Sequence, residues 1–206
     1  MNITVWLGFL VAAILIAVSP GPGAAVSMSV GLRYGYASAL RSIAGLQVGL
    51  LTHVLIVGVG LGALLAHSAT GFLVLKVLGA TYLAWLGVQK WRAAPLVDSV
   101  EATAPSAPRG LFLQGLLVNL TNPKAIVFMV ALMPQFIDPT RSQGLQFGVV
   151  GLTLSGVDIV VMSCYALLAT RLRRWLHDAK AQKMQNRLFG GVFVGAGLLL
   201  AVSSQH

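Results

Sequence analysis

Three ionisable side chains lie deep within long apolar stretches of this 206-residue chain: His53, Lys124 and Asp158. A charge at the centre of a bilayer costs about 2.5–3.5 kcal/mol on insertion scales. We therefore expect Asp158 to face a bundle interior, to pair with a cation or to stay protonated. A carboxyl group that exchanges a proton at that depth would suit a protein that carries protons across the membrane. The alternative is a structural ion pair, for which Lys124 is the natural partner.

Histidine changes charge near neutral pH, so His53 is a second candidate for proton coupling. A lone membrane histidine is, however, more often a hydrogen-bonded packing residue. Lys124 directly follows Asn122-Pro123 and could pair with a substrate carboxylate or with Asp158. Further polar side chains that could line a cavity are Gln47, Asn119 and Asn122.

The sequence predicts no metal site, no cofactor and no enzyme activity. No set of His, Cys, Asp and Glu has metal-ligand spacing. A nucleophile triad, a phosphate-binding loop and an HExxH pattern are also missing from the sequence. The one cysteine, Cys164, cannot form an internal disulfide, and we expect it to be a buried packing residue.

The composition is that of an integral membrane protein. The chain is 57% hydrophobic and only 9% charged, whereas a soluble domain carries about 25% charged residues. The length allows roughly six spans of about 20 residues each. The net charge of +9 does not predict nucleic-acid binding, because the basic residues are confined to a few loops. The predicted surroundings are the lipid bilayer.

Six apolar segments separated by polar loops predict six transmembrane helices. Their approximate ranges are 3–32, 42–65, 69–88, 111–137, 145–170 and 188–202. A polar linker, 90–110, divides a single transporter domain, 1–206, into two halves, 1–89 and 111–206. Three spans per half mean that the halves insert in opposite orientations. The predicted fold is an all-α membrane protein of two inverted three-helix repeats.

The distribution of basic residues predicts the orientation. If the N-terminus lies outside, the inward loops hold eleven of the 14 basic residues. These are Arg33, Arg41, Lys90, Arg92, Arg109, Arg171, Arg173, Arg174, Lys180, Lys183 and Arg187. The outward loops hold only Arg141. Because cytoplasmic loops are enriched in Lys and Arg, both termini are predicted on the non-cytoplasmic side.

The first span of each half contains a proline break. One is Ser19-Pro20-Gly21-Pro22-Gly23 and the other is Asn122-Pro123-Lys124. Proline removes a backbone donor, and each polar group released in hydrocarbon must find a protein or water partner. Paired breaks at corresponding positions of two halves are typical of a transporter binding site. The alternative is that both prolines merely kink their helices for packing.

We therefore expect the two breaks to approach one another and to flank one cavity. The predicted substrate-binding residues are Ser19, Pro20, Gly21, Pro22, Gly23, Asn119, Asn122, Pro123 and Lys124. The predicted proton-coupling residues are Asp158 and His53. Glycines at four-residue spacing also predict close helix packing. They are the pairs Gly31/Gly35, Gly45/Gly49, Gly144/Gly148 and Gly191/Gly195.

Three stretches of the chain resemble the LysE/RhtB family of amino-acid exporters. They are Ser19–Gly23, Asn122-Pro123-Lys124-Ala125, and Leu75–Leu83 closing on Gly87. The first two are quite specific in this order and spacing, and the resemblance covers essentially the whole chain. It implies a six-span bacterial inner-membrane protein that exports an amino acid, driven by the proton gradient. Many members carry an acidic residue where this chain has Leu50, which leaves the proton path to Asp158.

The resulting expectation is export of a neutral amino acid, such as homoserine, threonine, leucine or an analogue, by proton antiport. The expected partners are the amino acid, the proton and lipid; a homo-oligomer stays open. Neutral substrates are favoured because the spans hold no excess of acids that would select a cationic side chain. The alternatives are a passive solute channel and a membrane scaffold that transports nothing. A channel would need a continuous polar pore, and the polar side chains are few and scattered.

Overall fold

A computed structural model describes residues 1–67, 109–138, 140–176 and 179–202, together with some positions between 77 and 92. The regular structure in these ranges is helical, without a strand, which confirms the all-α prediction. We number the helices in chain order. They are α1 (Ile3–Val18), α2 (Pro22–Tyr34), α3 (Tyr36–His67), α4 (Leu111–Leu120), α5 (Pro123–Val127), α6 (Gln143–Leu176) and α7 (Ala179–Val202). Helix α5 continues as a π-helical turn, Phe128–Leu132, and a 3-10 turn, Met133–Phe136.

Two described helices are long and apolar enough to cross a membrane alone, over Tyr36–Gly60 and Gln143–Ala169. Two bent pairs, α1 with α2 and α4 with α5, qualify when each pair counts as one span. The predicted third span, 69–88, lies largely outside the described residues, as does the linker, 90–110. The sixth predicted span, 188–202, is the C-terminal part of α7. The arrangement of six spans in inverted repeats stays a prediction.

Both proline breaks bend the chain sharply. The axes of α1 and α2 differ by 54°, and those of α4 and Pro123–Val130 by 48°. Ser19 and Asn122 have extended backbones at the two corners. Asn122 caps α5 by accepting a hydrogen bond from the Lys124 backbone N–H at 3.1 Å. Each second helix therefore begins at a proline in the first turn, where the missing N–H costs nothing.

Helices α3 and α4 touch backbone to backbone through three glycines. A Cβ atom at Gly45 would overlap the carbonyl oxygen of Phe112, and one at Gly115 would overlap that of Ser42. A Cβ at Gly49 would lie 2.9 Å from Asn119 Cβ. Small residues at such crossings are how membrane helices approach closely. The prediction of close packing is thus confirmed for the Gly45/Gly49 pair.

The other spacings predict packing less well. Gly31 lies against the backbone of Ala166, but Gly35 ends α2 with a φ of +79°. No described atom outside the local backbone lies within 4 Å of a Cβ placed at Gly144, Gly148, Gly191 or Gly195. The described residues thus give no packing contact for those two pairs. Glycine is frequent in any membrane helix, so spacing alone does not identify the contact face.

The helix directions bring like charges to one end of the bundle. Helices α3 and α4 run parallel, since Gly45 lies at Phe112 and Gly49 at Asn119. Helix α6 runs antiparallel to α3, because Gln47 contacts Asp158 while Gly58 faces Phe147. The end that carries the start of α3 therefore also carries the start of α4 and the end of α2.

The two ends of the bundle differ in charge. Arg33, Arg41 and Arg109 belong to the end where α3 and α4 start. Asp138 and Arg141 belong to the opposite end and form an exposed ion pair at 3.2 Å. The amide N–H and hydroxyl of Thr140, which donate to the carboxylate, hold the pKa of Asp138 below its usual range. Among the described segments, only the end where α3 and α4 start therefore carries basic residues without an acidic partner.

The outer surface of the long helices is apolar. Leu55 and Val59 on α3 and Leu152 and Val160 on α6 are each more than half exposed. A helix that is hydrophobic all round is typical of a membrane span. Cys164 is also exposed, so the expectation that it is buried is wrong. In a lipid-facing helix a small thiol needs no burial, because the surrounding solvent is itself apolar.

The glycine contact between α3 and α4 predicts an asymmetric pair of substitutions. Gly45→Ala should lower the free energy of unfolding by about 1–3 kcal/mol, because neither backbone can yield to the added methyl group. Gly148→Ala, in open space on α6, should instead be neutral or gain up to about 1 kcal/mol in helix propensity. Thermal melting of the purified protein followed by tryptophan fluorescence measures both. Equal melting temperatures for the two variants would contradict the backbone contact.

Candidate functional site

The prolines of both breaks leave specific backbone carbonyls without their usual partner. In an α-helix the carbonyl of residue i accepts from the N–H of residue i+4. Pro20, Pro22 and Pro123 have no N–H, so the carbonyls at risk are those of Ile16, Val18 and Asn119. In hydrocarbon an unsatisfied carbonyl costs several kcal/mol. The sequence therefore requires three replacement donors.

Each of the three carbonyls receives a side-chain donor from another part of the chain. Lys124 Nζ donates to Ile16 O at 2.8 Å and also to Ser19 O at 2.5 Å. Tyr165 donates its hydroxyl to Val18 O at 2.7 Å. His53 Nε2 lies 3.1 Å from Asn119 O. Because a carbonyl oxygen only accepts, His53 carries a proton on Nε2.

Lys124 joins the two breaks directly. Its ammonium lies at the C-terminal end of α1, where the helix dipole favours a cation. The side chain passes over Gly21, where an added Cβ would lie 3.4 Å from both Cε and Nζ. The second break thus places a positive charge on the backbone exposed by the first.

The polar side chains of α4 serve the backbone. Asn119 donates from Nδ2 to Leu46 O at 2.5 Å, which crosses from α4 to α3. Its own carbonyl accepts from the Asn122 N–H at 3.0 Å as well as from His53. Asn122 is engaged as the cap of α5. Asn119, Asn122 and His53 together hold the second break in shape.

Asp158 lies on α6, facing α3. Its Oδ2 accepts a hydrogen bond from Gln47 Nε2 at 2.7 Å. Lys124 lines the same cavity as this carboxylate. Gln47 Oε1 is buried and has no hydrogen-bond partner among the described residues. Gln47 therefore holds Asp158 through its amide N–H, while its amide oxygen accepts no hydrogen bond from the described residues.

A small cavity of about 60 Å³ lies between the two breaks. A buried water needs a cavity of about 10–15 Å³ on the same measure, so this cavity has room for a few waters but not for an amino acid. The lining residues come from α1 to α6. They are Ala13, Ile16, Ala17, Gly23, Ala24, Leu46, Leu50, Asn119, Asn122, Lys124, Ala125, Phe128, Met129, Leu154, Asp158 and Met162.

The structure describes every predicted site residue and brings five of them to this cavity. They are Gly23, Asn119, Asn122, Lys124 and Asp158. The described lining does not include Ser19, Pro20, Gly21, Pro22, Pro123 or His53. Ser19 is fully buried, and its hydroxyl has no partner among the described residues. Residues 19–22 of the first break and Pro123 of the second thus lie behind the cavity wall, whereas Gly23, Asn122 and Lys124 reach it.

Sequence reasoning missed Tyr165, and it offered Gln47 as a cavity-lining side chain rather than as the partner of Asp158. Counting four residues back from each proline would have shown that Val18 O needs a donor from elsewhere. That count identifies the acceptor but not the donor. Tyr165 lies 147 positions from Val18 in the chain, so only the packing of α6 against α1 reveals it.

The fold and cavity define a class: a helical membrane protein with two facing broken helices around a buried polar site, as in secondary transporters. The chain belongs to the LysE-type translocator family, whose model matches residues 14–204. This confirms the family resemblance found in the sequence. A translocator is a transport protein rather than an enzyme.

Several relatives match over nearly their whole length. A homoserine/homoserine lactone efflux protein of Salmonella typhimurium is 46% identical over 98% of this chain and 97% of its own. An uncharacterized membrane protein of Vibrio cholerae is 45% identical over 98% of this chain and 99% of its own. A leucine efflux protein of Klebsiella pneumoniae is 32% identical over 95% of this chain and 94% of its own. No solved structure matches the chain.

The replacement donors predict an energetic coupling between a proline and its distant partner. Tyr165→Phe should destabilise the protein by about 1–3 kcal/mol, because it leaves Val18 O unsatisfied. Pro22→Ala supplies an N–H that reaches this carbonyl when Ser19 and Gly21 leave their extended conformations and the helix closes through the break, so in that background the same substitution should cost less. A double-mutant cycle by thermal or denaturant unfolding measures the difference, which we expect at about 0.5–3 kcal/mol. Additive costs would show that Tyr165 does not compensate for Pro22.

Proposed function

We propose that the protein exports a small neutral amino acid or its lactone from the cytoplasm by proton antiport across the inner membrane. Homoserine and homoserine lactone are the first candidates, since the efflux protein of that name shares 46% identity over nearly the whole chain. The observation that carries the proposal is the cavity between the two breaks, which Lys124 and Asp158 both line.

The first break offers complementary ends to a zwitterion. The C-terminal carbonyls of α1 form a negative helix end, which favours an ammonium group. Helix α2 begins at Pro22, so the N–H groups of Gly23 and Ala24 have no acceptor within the helix. Both residues line the cavity. A helix N-terminus favours a carboxylate, so both charged groups of an amino acid find a counterpart here.

The remaining wall favours a small, uncharged side chain. Asp158 is the one carboxylate in the described lining, and it is already bonded to Gln47. The other lining side chains are largely apolar, among them Leu50, Phe128 and Met129. A second, cationic group on the substrate would have no further acid to meet in this part of the structure. This supports neutral substrates over lysine or arginine.

Transport requires the cavity to open and close. Its volume of about 60 Å³ is too small for an amino acid, so binding requires the cavity to widen. The helix ends at Ser19 and Asn122 lack continuous helical hydrogen bonding and are natural hinges. Exchange of a proton at Asp158 would then bias which side the cavity opens to. His53 remains a candidate proton relay, and its Nε2–H donates to Asn119 O.

The basic end of the bundle is proposed to face the cytoplasm. Arg33, Arg41 and Arg109 lie at that end, while the opposite end holds the neutralised pair Asp138–Arg141. This agrees with the enrichment of Lys and Arg in cytoplasmic loops. The N-terminus, at the other end of α1, would then lie on the non-cytoplasmic side, as would the C-terminus.

Replacing the buried acid should uncouple transport from the proton gradient. Asp158→Asn keeps the shape but cannot exchange a proton, so gradient-driven export of homoserine should fall more than about tenfold. Exchange of labelled for unlabelled substrate, which needs no proton, should persist. Proteoliposomes with an imposed pH gradient measure both rates. The matched control is Asp138→Asn, an exposed acid at the far end of the bundle, whose rates should stay unchanged.

Two results would contradict this mechanism. Uphill export by Asp158→Asn at the wild-type rate would show that the proton does not travel through this carboxyl group. Wild-type flux that follows only the solute gradient, with the proton gradient collapsed, would favour a passive channel instead.

A further inference from the structure

The Lys124 ammonium lies where the ammonium of a zwitterionic substrate would bind. Its Nζ is 2.8 Å from Ile16 O and 2.5 Å from Ser19 O. We infer that Lys124 is a tethered occupant of the substrate's ammonium subsite, and that the substrate enters by displacing it. The inference rests on the proposed function, because it names the subsite that the exported amino acid uses.

The chemistry of this subsite suits a primary ammonium. The proline at position 20 removes the donor for Ile16 O, and the turn at Ser19 exposes a second carbonyl beside it. Both oxygens belong to the negative end of a 16-residue helix. An ammonium group carries three donors and no acceptor, so two converging carbonyls select it over a carboxylate.

The subsite adjoins the cavity that a substrate would occupy. Ile16 and Lys124 both line that cavity, together with Gly23 at the start of α2. A substrate whose ammonium replaced Nζ would place its carboxylate toward the amides at the α2 N-terminus. The same two helix ends would thus bind both charges of one small molecule.

A displaced Lys124 has a second place to go. Asp158 lines the same cavity as Lys124. Gly21 presents no side chain to the lysine, whereas a Cβ atom there would lie 3.4 Å from both Cε and Nζ. The ammonium would therefore exchange backbone carbonyls for a carboxylate when the substrate arrives. This differs from a lysine that binds the substrate carboxylate, since that lysine must stay at the substrate.

The test compares the affinities of two ligands for the full-length protein in nanodiscs. Homoserine carries an ammonium and a carboxylate, whereas homoserine lactone carries the ammonium alone. If Lys124 fills the subsite about nine-tenths of the time, its removal should tighten binding about tenfold. Lys124→Met should therefore bind both ligands about tenfold more tightly than the wild type. Lys183→Met, the same substitution on the exposed part of α7, should leave both affinities unchanged.

Other outcomes overturn the inference. Weaker binding of homoserine by Lys124→Met, with lactone binding unchanged, would show that Lys124 holds the substrate carboxylate. Unchanged affinity for both ligands would show that the two carbonyls do not bind substrate.

A second variant separates the charge of Lys124 from its bulk. In a Cys164→Ala background the chain has no other cysteine, so Lys124→Cys can be alkylated at one position. Aminoethylation restores a lysine-like ammonium and should return the affinities to the wild-type values. A neutral propyl adduct of similar length should leave binding tight. Equal effects of the two adducts would contradict competition by charge.

Methylammonium probes the subsite whatever the true substrate is. It should bind Lys124→Met about tenfold more tightly than the wild type, even if homoserine proves to be the wrong amino acid. Failure of methylammonium to bind Lys124→Met would overturn the inference alone. Failure of homoserine binding or of proton-driven flux, with methylammonium bound as expected, would instead overturn the proposed function.

Discussion

A backbone carbonyl cannot be left without a donor inside a bilayer, and the architecture of this protein follows from that constraint. Three prolines remove three donors, and a lysine, a tyrosine and a histidine from distant helices replace them. Each replacement ties a break to another helix. The breaks are consequently points where the bundle is held together as well as points where its helices are interrupted. Polar residues that are costly in lipid are retained because the backbone needs them.

The need to satisfy these backbone carbonyls explains why the site is built from few residues. Lys124 and Asn119 both serve the backbone and line the cavity. A group that already satisfies a carbonyl needs no separate structural partner, and it becomes available once a ligand takes over that carbonyl. If substrate displaces Lys124 as proposed, binding and conformational change share the same hydrogen bonds.

The sequence predicts the positions of the breaks and the family better than it predicts the partners. Pro20, Pro22 and Pro123 are visible as anomalies within apolar runs, and Asp158 stands out because it is charged there. The bond between Gln47 and Asp158 spans 111 positions and depends on how α3 and α6 rotate about their axes. Apolar periodicity carries little rotational information when a helix is hydrophobic on all sides. The pair Gly45/Gly49 was a usable signal, but Gly144/Gly148, with the same spacing, shows that it is not specific.

The glycine contact between α3 and α4 has a mechanical consequence. Helices whose backbones touch cannot slide without a clash, so α3 and α4 form one rigid body. The Gly31–Ala166 contact and the Trp6–Thr153 and Tyr165–Val18 bonds likewise tie α1 and α2 to α6. Among the polar bonds between these helices, Gln47 on α3 donates to Asp158 on α6, and Lys124 on α5 donates to the end of α1. A rocking motion of one body against the other would have to break the Gln47–Asp158 bond, so this buried polar link is part of the latch.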